Sequence, residues 1–212
     1  MCRLLFKSSN EEFSIPEVLE KFAYICRHSK EFQGHGWGFS YLKVNDWVHY
    51  KNIKPIWEDD FSQFGKTKRL TAHARSAFRD RDITLENNMP FYDDKYIFTF
   101  NGELQGVKIK EEGRIGAEKI FNYIKRFDKG NFSEAFDKGI EVINKRTTYI
   151  KAMNIIIADK NKVWLSSQFN EEEDYFKMYY KKNNSEFIIC SDPLDDNKWE
   201  EINNNTITEF NE

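Results

Sequence analysis

The chain begins MCRLLF (residues 1–6), and the cysteine at its second position raises the first question about this protein. Removal of Met1 would leave Cys2 with a thiol and a free α-amine on the same carbon. A thiolate is the nucleophilic form of cysteine, and an ordinary thiol is only slightly ionised near pH 7. A terminal amine, with a pKa of about 7.7–8.0, can take the thiol proton. The stretch predicts either an N-terminal nucleophile at the head of a strand over residues 3–7, or an unreactive cysteine there.

The composition is that of a soluble globular protein. The 212 residues are 40% hydrophobic and 32% charged, and are expected to form a single domain over residues 1–212. Aromatic residues make up 16% of the chain, including 19 phenylalanines, which predicts a core packed largely with rings. The net charge of −3 argues against a nucleic-acid-binding protein, because such proteins usually carry a basic excess.

The sequence gives no sign of a membrane or secreted protein. No apolar run reaches the ~18 residues that a membrane helix needs, and no secretory signal is visible at the N-terminus. The three cysteines Cys2, Cys26 and Cys190 are far apart and form no CxxC pair, so neither a disulfide framework nor a metal site is indicated. We therefore expect a cytoplasmic protein, with Cys26 and Cys190 packed in the core.

Hydrophobic periodicity predicts two strand-rich parts separated by two helices. Ser14 and Glu17 have the spacing of a capping box at the start of the first helix. Turns are expected at Asn45-Asp46 and Lys160-Asn161, and the polar tail over 203–212 is expected to fray. Hairpins outnumber strand–helix–strand units, which favours mixed or antiparallel sheets. The predicted elements are a helix over 14–30, strands within 36–52, 70–78 and 95–104, helices over 118–127 and 133–145, a hairpin over 153–169 and a strand over 186–194.

Two further stretches carry groups suited to acyl transfer. In FTFNGEL (98–104), the Asn101 side-chain amide and the Gly102 backbone N–H could stabilise a developing oxyanion, although Asn-Gly is also a common turn. In AHARSAF (72–78), Arg75 is expected on a strand, on the same face as His73. Its guanidinium suits a substrate carboxylate, and the alternative is an ordinary ion pair with Glu86 or an aspartate.

A fourth stretch, GHGWGFS (34–40), is less specific. It could place Trp37 in a tight loop that approaches a ligand, or simply begin a strand with a packed indole.

Taken in order, these stretches resemble the class II glutamine amidotransferases. The small stand-alone members of that family begin MC and carry DGWG, HxR, LENxHPF, HNG and SEPL. The resemblance spans residues 2–199 and implies an α+β fold of the N-terminal nucleophile hydrolase type, a four-layer αββα sandwich of two mainly antiparallel sheets. The matching stretches here are Cys2, GWG (36–38), HAR (73–75), LENNMPF (85–91), FNGEL (100–104) and SDPL (191–194).

The resemblance also implies roles for individual residues. Cys2 would attack the side-chain amide of glutamine, and Asn101 with Gly102 would form the oxyanion hole. A glutamyl thioester would form, release ammonia and be hydrolysed to glutamate, with no cofactor. The ammonia would pass either to water or to an ammonia-accepting partner protein. Substrate binding would fall to Arg75, which would hold the carboxylate, and to His73, Trp37 and Glu118.

The chain departs from the family pattern at four positions. Phe100 and Met89 stand where the family has histidines, and His35 stands where it has the aspartate of DGWG. Gly116 replaces an acidic residue that, in the family, holds the α-amino group of the substrate. A charge-assisted hydrogen bond contributes about 1.5–3 kcal/mol, so its loss predicts weaker binding of glutamine.

Three interpretations of the Gly116 departure remain open. Glutamine is still the substrate, and Glu118, Glu103 or another acid compensates for the missing carboxylate. Alternatively, the substrate is a different γ-glutamyl amide, in which the amine is masked or differently placed. In the third, the chain is a catalytically degenerate binding or regulatory subunit.

Overall fold

The structure, a computed structural model, describes residues 1–211 and has two antiparallel sheets between layers of helices. The helices are α1 (Ile15–Arg27), α2 (Gly116–Lys125), α3 (Phe132–Lys145) and the short α4 (Glu173–Phe176). The strands are β1 (Arg3–Ser14), β2 (Trp37–Lys43), β3 (Asp46–Asn52), β4 (Lys66–Ala74), β5 (Phe91–Tyr92), β6 (Ile97–Gln105), β7 (Tyr149–Ala158), β8 (Lys162–Ser167), β9 (Met178–Lys182), β10 (Glu186–Cys190), β11 (Glu200–Ile202) and β12 (Thr206–Asn211).

Each sheet has its own strand order. The larger sheet runs β11-β9-β10-β1-β4-β2-β3, and the smaller runs β12-β8-β7-β6-β5. In the larger sheet β1 is central, since Leu5 pairs with Ala72 of β4 on one side and with Cys190 of β10 on the other. In the smaller sheet β6 pairs with β7, which places Asn101 opposite Asn154.

Alternation of side chains along the strands builds the layers. On β1, Leu4 and Phe6 enter the cluster between the two sheets, whereas Leu5 packs on the opposite face against α1. On β6, Phe98 and Phe100 face α2 and α3. The result is the four-layer αββα sandwich of two antiparallel sheets that the resemblance implied.

The capping prediction at the first helix is confirmed. The Ser14 hydroxyl accepts a hydrogen bond from the Glu17 backbone N–H, and Pro16 lies in the first turn. Cys26 of this helix is buried in the core, and so is Cys190 of β10. The helix ends at Arg27, three residues earlier than predicted.

Two expectations about turns and ends need correction. Lys43 pairs with Asp46, so the first hairpin turn is Val44-Asn45, one residue earlier than predicted, with Val44 at a positive φ of 59°. The polar tail does not fray as far as residue 211, because Thr206–Asn211 forms β12 on the edge of the smaller sheet beside β8, and residue 212 lies outside the described residues. The second hairpin turns at Lys160-Asn161 as predicted, between Asp159 and Lys162.

Within residues 1–211, the helices are too short or too polar for any of them to cross a bilayer.

Candidate active site

Cys2 and Arg75 lie side by side at neighbouring ends of the inner strands β1 and β4 of the larger sheet, at the end that we call the Cys2 edge. Arg3 pairs with Ala74, so Cys2 immediately precedes β1 opposite Arg75, which immediately follows β4. Arg75 is thus one residue beyond the strand on which the sequence placed it, although its backbone N–H still donates to the Gly36 carbonyl (2.9 Å). Alternation from Leu4 and His73 directs both side chains into the space between the sheets.

Asn101 faces the same space from the smaller sheet. Asn101 and Gly102 lie within β6, so the interpretation of Asn-Gly as a turn is wrong. The Asn101 side chain is fully buried, and among the described residues neither its Oδ1 nor its Nδ2 has a hydrogen-bond partner. Buried amides nearly always have partners, so this group is suited to meet a bound molecule. The site thus offers an amide donor across from the Cys2 edge, since β1 and β4 both contact β6.

Gly102 is required by the close approach of the neighbouring strand. A Cβ at this position would lie 2.1 Å from the Ala152 carbonyl oxygen, closer than any real contact. Glycine therefore lets β7 pack tightly beside the Asn101 backbone.

Arg75 is held by an amide and not by a carboxylate. Its guanidinium Nη1 donates to Asn88 Oδ1 (3.3 Å), and Asn88 Nδ2 donates to the Asn52 carbonyl (2.9 Å). Arg75 and Asn88 are both buried. No carboxylate of the described residues lies within 4 Å of Arg75, so the alternative of an ordinary ion pair is wrong. The charge remains available for an anionic ligand.

His73 is a buried neutral imidazole at this site. Burial, followed by the nearby Arg75 charge, lowers the pKa of His73 to about 3, and the Phe100 carbonyl offsets this only in part. The ring is fully buried on the inner face of β4, between the cysteine edge and the centre of the sandwich. Near pH 7 it therefore supplies polarity without charge.

Cys2 itself is half-buried, and its thiol is not activated in the chain as it stands. The Sγ atom lies 3.7 Å from the Ser76 carbonyl oxygen. Burial raises the pKa of the Cys2 thiol, while the N-terminal ammonium, the Ser76 backbone and Arg75 oppose the shift. With Met1 in place, the Cys2 nitrogen is an amide and has no lone pair available as a base.

Met1 is firmly held over the cysteine. Its ammonium lies 3.6 Å from a Glu31 carboxylate oxygen, and its carbonyl oxygen accepts hydrogen bonds from Gln33 Nε2 (2.6 Å) and the Tyr175 hydroxyl. The Met1 side chain packs on a small apolar cluster that includes Phe176. The N-terminus is therefore an ordered part of the site.

A lateral cavity of about 410 Å³ lies beside this centre. Glu118 lines the cavity, but its carboxylate accepts from the Arg114 backbone N–H (2.6 Å) and from the Arg114 guanidinium. Lys51 has no carboxylate of the described residues within 4 Å, and burial, followed by the Arg114 charge, lowers its pKa to about 8. The charged side chains that line the cavity are Lys51, Glu86, Arg114, Glu118 and Lys125.

The loop of residues 85–90 separates the lateral cavity from the site of Cys2, Arg75 and Asn101. Lys51, Gly38 and His73 form one row across three strands, which sets the Lys51 and His73 backbones about 10 Å apart. A Cβ on Gly38 would lie 2.7 Å from the Met89 carbonyl oxygen, so the loop crosses the row at this glycine. Cys2, Arg75 and Asn101 do not line the cavity.

The structure does not bring Trp37 to the other predicted residues. Trp37 is fully buried in the cluster under α1, on the opposite face of the larger sheet, where it stacks on Phe39. Its indole N–H donates to Asp59 (2.9 Å). The interpretation of Trp37 as a packed indole matches this placement.

The positions that depart from the family pattern fall into two groups. Phe100 and Met89 both pack into the core beneath α2 and α3, away from the Cys2 edge. His35 lies next to the centre, where its Nδ1 accepts from the Ala77 N–H (2.9 Å). Gly116 is exposed at the first residue of α2, with open space around it.

Sequence reasoning missed three residues that shape the site: Gln33, Asn88 and Tyr175. Asn88 lies in the LENNMPF stretch, so the motif contained a signal for it. No sequence signal marks Gln33 or Tyr175, because both reach the site from irregular or short segments. In the described part of the chain, no group of three His, Cys, Asp or Glu side chains is arranged to hold a metal ion.

Comparisons with known proteins identify the fold. No family model and no curated protein matches the sequence. A glutamine aminotransferase class-II domain protein from Silicibacter pomeroyi has a solved structure that matches over 99% of both chains, with 13% identity and a TM-score of 0.68.

Two more solved structures agree. A predicted glutamine amidotransferase from Pseudomonas aeruginosa matches over 99% of this chain and 97% of its own, with 14% identity and a TM-score of 0.63. Glutamine phosphoribosylpyrophosphate amidotransferase from B. subtilis is 15% identical with a TM-score of 0.63, and the match covers 90% of this chain and 42% of that one. The chain thus has the fold of the class II glutamine amidotransferase domain.

Proposed function

We propose that this protein hydrolyses the side-chain amide of glutamine or of a related γ-glutamyl compound through a thioester on Cys2. One arrangement carries the proposal: Cys2 and Arg75 lie at the ends of β1 and β4, and the buried amide of Asn101 enters the same space between the sheets from β6. Among residues 1–211, Arg75 has no carboxylate partner and the Asn101 amide has no hydrogen-bond partner. Nucleophile, carboxylate binder and oxyanion donor are the three functions that amide hydrolysis of such a substrate needs.

The mechanism begins with removal of Met1. The freed α-amine of Cys2 takes the thiol proton, and the thiolate attacks the amide carbon of the substrate. The Asn101 side-chain N–H and the Gly102 backbone N–H stabilise the oxyanion, and the ammonium returns its proton to the departing ammonia. Water then attacks the thioester, with the same amine as base, and the acid product leaves. The ammonia enters water or passes to a partner protein.

Arg75 binds the substrate carboxylate in this proposal, and neutral His73 lines the pocket beside it. The amino end of the substrate needs a different partner. Glu118 is the acid closest in sequence to Gly116, but its carboxylate is engaged by Arg114, and Lys51 adds a cation to the same cavity. This charge distribution favours a γ-glutamyl amide with a masked amine over free glutamine.

The test is ammonia release from glutamine and from a panel of γ-glutamyl amides, using protein whose loss of Met1 is shown by intact mass. Wild-type protein should release ammonia from at least one of these amides, and Cys2→Ser should release none. A glutamine-like electrophile should add to Cys2 and not to the buried Cys26 or Cys190. If protein that has lost Met1 hydrolyses no amide of the panel, the proposal is contradicted.

A second candidate function is that of a binding or regulatory subunit. The ordered Met1, held by Glu31, Gln33 and Tyr175, is the observation that favours it. Intact mass of protein from its native host decides between the two, since fully retained Met1 leaves Cys2 without its base.

A further inference from the structure

Two buried side chains converge on the Met1 carbonyl oxygen. Gln33 is fully buried, and its Nε2 donates to that oxygen at 2.6 Å and to the Tyr175 hydroxyl at 3.0 Å. Tyr175, which is only 4% exposed, donates its hydroxyl to the same oxygen. A single backbone atom is therefore the shared partner of two polar groups that have little access to water.

Removal of Met1 deletes this oxygen and leaves a new group in nearly the same place. The oxygen and nitrogen of one peptide unit are about 2.3 Å apart, as the bond lengths of the amide require. Gln33 Nε2 lies 2.6 Å from that oxygen and the Tyr175 hydroxyl also bonds it, so the freed α-amine of Cys2 arises within about 5 Å of both groups, and a small side-chain movement brings them into hydrogen-bond contact. Otherwise the buried Tyr175 hydroxyl would lose its acceptor, which is costly, and Gln33 would keep only two of the three acceptors around its two N–H groups.

Gln33 has a free hydrogen-bond acceptor for the amine that replaces the Met1 carbonyl. Its Oε1 is buried and has no hydrogen-bond partner among the described residues. Its Nε2 also donates to the Glu31 carbonyl (2.9 Å), which fixes the side chain in place. A neutral amine can both donate and accept, so an amide that offers both an N–H and a free oxygen matches it.

Tyr175 is fixed from a second direction. The Arg3 guanidinium lies 4.5 Å from the centre of the Tyr175 ring. Burial raises the pKa of Tyr175 to about 12, so the phenol keeps its proton at neutral pH. The hydroxyl therefore remains a donor and an acceptor on the side of the amine.

We propose that Gln33 and Tyr175 are positioning residues that hold the freed α-amine of Cys2 beside its own thiol. This inference rests on the proposed function. The amine takes the thiol proton to give the thiolate and an ammonium, and no other reactant is needed. The two side chains act through the amine and do not touch the scissile amide. Other charged or titratable groups around the amine are Arg3 on β1, Glu31 and His35 after α1, His73 and Arg75 at the end of β4, and Asp192 after β10.

The experiment compares Gln33→Leu, Gln33→Glu and Tyr175→Phe with wild type, each checked by intact mass for loss of Met1. We expect Gln33→Leu and Tyr175→Phe to lower kcat about 10- to 100-fold with KM changed less than about threefold, because the substrate contacts remain. Gln33→Glu places a carboxylate beside the amine, so its acidic limb of kcat/KM should move to higher pH.

A second measurement does not depend on turnover. The rate of Cys2 alkylation by iodoacetamide is followed against pH by peptide mass spectrometry, with Cys26 and Cys190 as buried references. Gln33→Leu should slow alkylation near pH 7, and Gln33→Glu should shift its pH dependence. If no amide of the panel is hydrolysed, the proposed function fails while this readout still tests Gln33.

Gln63→Leu and Tyr179→Phe are the matched controls, because both residues lie outside the site. Kinetics and alkylation profiles of the Gln33 and Tyr175 variants that coincide with those of the controls would overturn the proposal. So would a loss of thermal stability without any change in kcat or in the alkylation profile, since that result indicates packing alone.

Discussion

The proposed catalytic centre and the lateral cavity both border the inner face of the larger sheet, yet they are built in opposite ways. At the centre, His73 is neutral, and within residues 1–211 Arg75 has no carboxylate partner and the Asn101 amide has no hydrogen-bond partner. In the cavity, Arg114 and Glu118 satisfy each other, and Lys125 pairs with Asp93 at 2.8 Å. The centre keeps its polar groups for a ligand, whereas the cavity uses most of its charges within the protein.

This difference between the centre and the cavity indicates that the groups proposed for bond breaking are separate from those that would select the substrate. The groups that we propose to break the amide bond lie on the fold of glutamine amidotransferase domains. The groups around the lateral cavity and the start of α2 are less suited to an ammonium, because Gly116 supplies no charge and Lys51 supplies a positive one. Changes to the nucleophile or to the oxyanion donor should therefore reduce turnover for every substrate, whereas changes at Arg75 or near the cavity should alter which substrate is preferred.

The largest effect is expected at Asn101. Asn101→Asp keeps the shape but replaces the amide donor with an acceptor, so it should lower kcat about 100- to 1,000-fold for all amides. The measurement is steady-state ammonia release from the best substrate of the panel. Asn170→Asp, which makes the same change at an exposed loop residue, is the matched control. A loss below threefold would show that the buried amide does not contact the oxyanion.

Arg75 should give the next largest effect, and one confined to substrates with a carboxylate. Arg75→Lys keeps the charge but loses the planar fork, and Arg75→Met loses both. Because a charged hydrogen bond contributes about 1.5–3 kcal/mol, kcat/KM for γ-glutamyl amides should fall about 10- to 150-fold.

A simple primary amide without a carboxylate provides the internal control, and its hydrolysis should change little in the same variants. The exposed Arg79, changed to alanine, controls for loss of a nearby positive charge. Equal losses on both substrates would indicate that Arg75 supports the fold of the edge and does not bind the carboxylate.

The parts of the centre that could be predicted were those that a motif or strand alternation records. Cys2, Arg75 and Asn101 stand in short stretches with a fixed order along the chain. Apolar and polar residues alternate over 70–74 in β4 and over 98–101 in β6, and β1 begins with a short apolar run. Trp37 was harder, because which face of β2 is inward depends on its register with β4. That register pairs Gly38 with His73 and so turns Trp37 outward, toward α1.

The remaining parts depend on contacts that no local pattern encodes. Gln33 and Tyr175 are 142 residues apart and meet only because the segment after α1 and the short α4 both pack on Met1. The strand β12 was missed because it is a polar edge strand, with Ile207 43% exposed and little alternation to reveal it. Neither feature follows from propensity or periodicity.

A smaller effect is expected in how the free energy of unfolding depends on pH, because of His73. His73 has a pKa of about 3 when folded, because of burial, and an ordinary value near 6.5 when unfolded. Below pH 6.5 the unfolded chain binds the extra proton, so the free energy of unfolding falls as pH drops toward 3. The slope is at most about 1.4 kcal/mol per pH unit.

Urea unfolding at several pH values between 6.5 and 4 measures that slope. His73→Gln should flatten it, and His28→Gln, at the exposed end of α1, should not. His49, whose pKa burial lowers to about 4, contributes a second acid-sensitive group outside the centre, so the flattening should be partial. An identical slope in wild type and His73→Gln would show that the ring is not kept neutral.

The smallest effect, and the sharpest on the question of substrate, is expected at Gly116. Gly116→Asp fits without a clash, since a Cβ there meets no atom within 4 Å. At the first residue of α2 the new carboxylate also interacts favourably with the helix dipole. If the amino end of the substrate lies near this residue, KM for glutamine should fall about tenfold, by the gain of one charged hydrogen bond.

Gly116→Asn separates the charge from the change of backbone, because both variants remove the flexible glycine at the first residue of α2 and should be slightly more stable for that reason. Only the aspartate should lower KM for glutamine, with kcat unchanged, and neither should improve an amide whose amine is acylated. Equal KM values in the two variants would mean that the ammonium does not lie near α2. The cavity and the centre would then be separate in recognition as well as in structure.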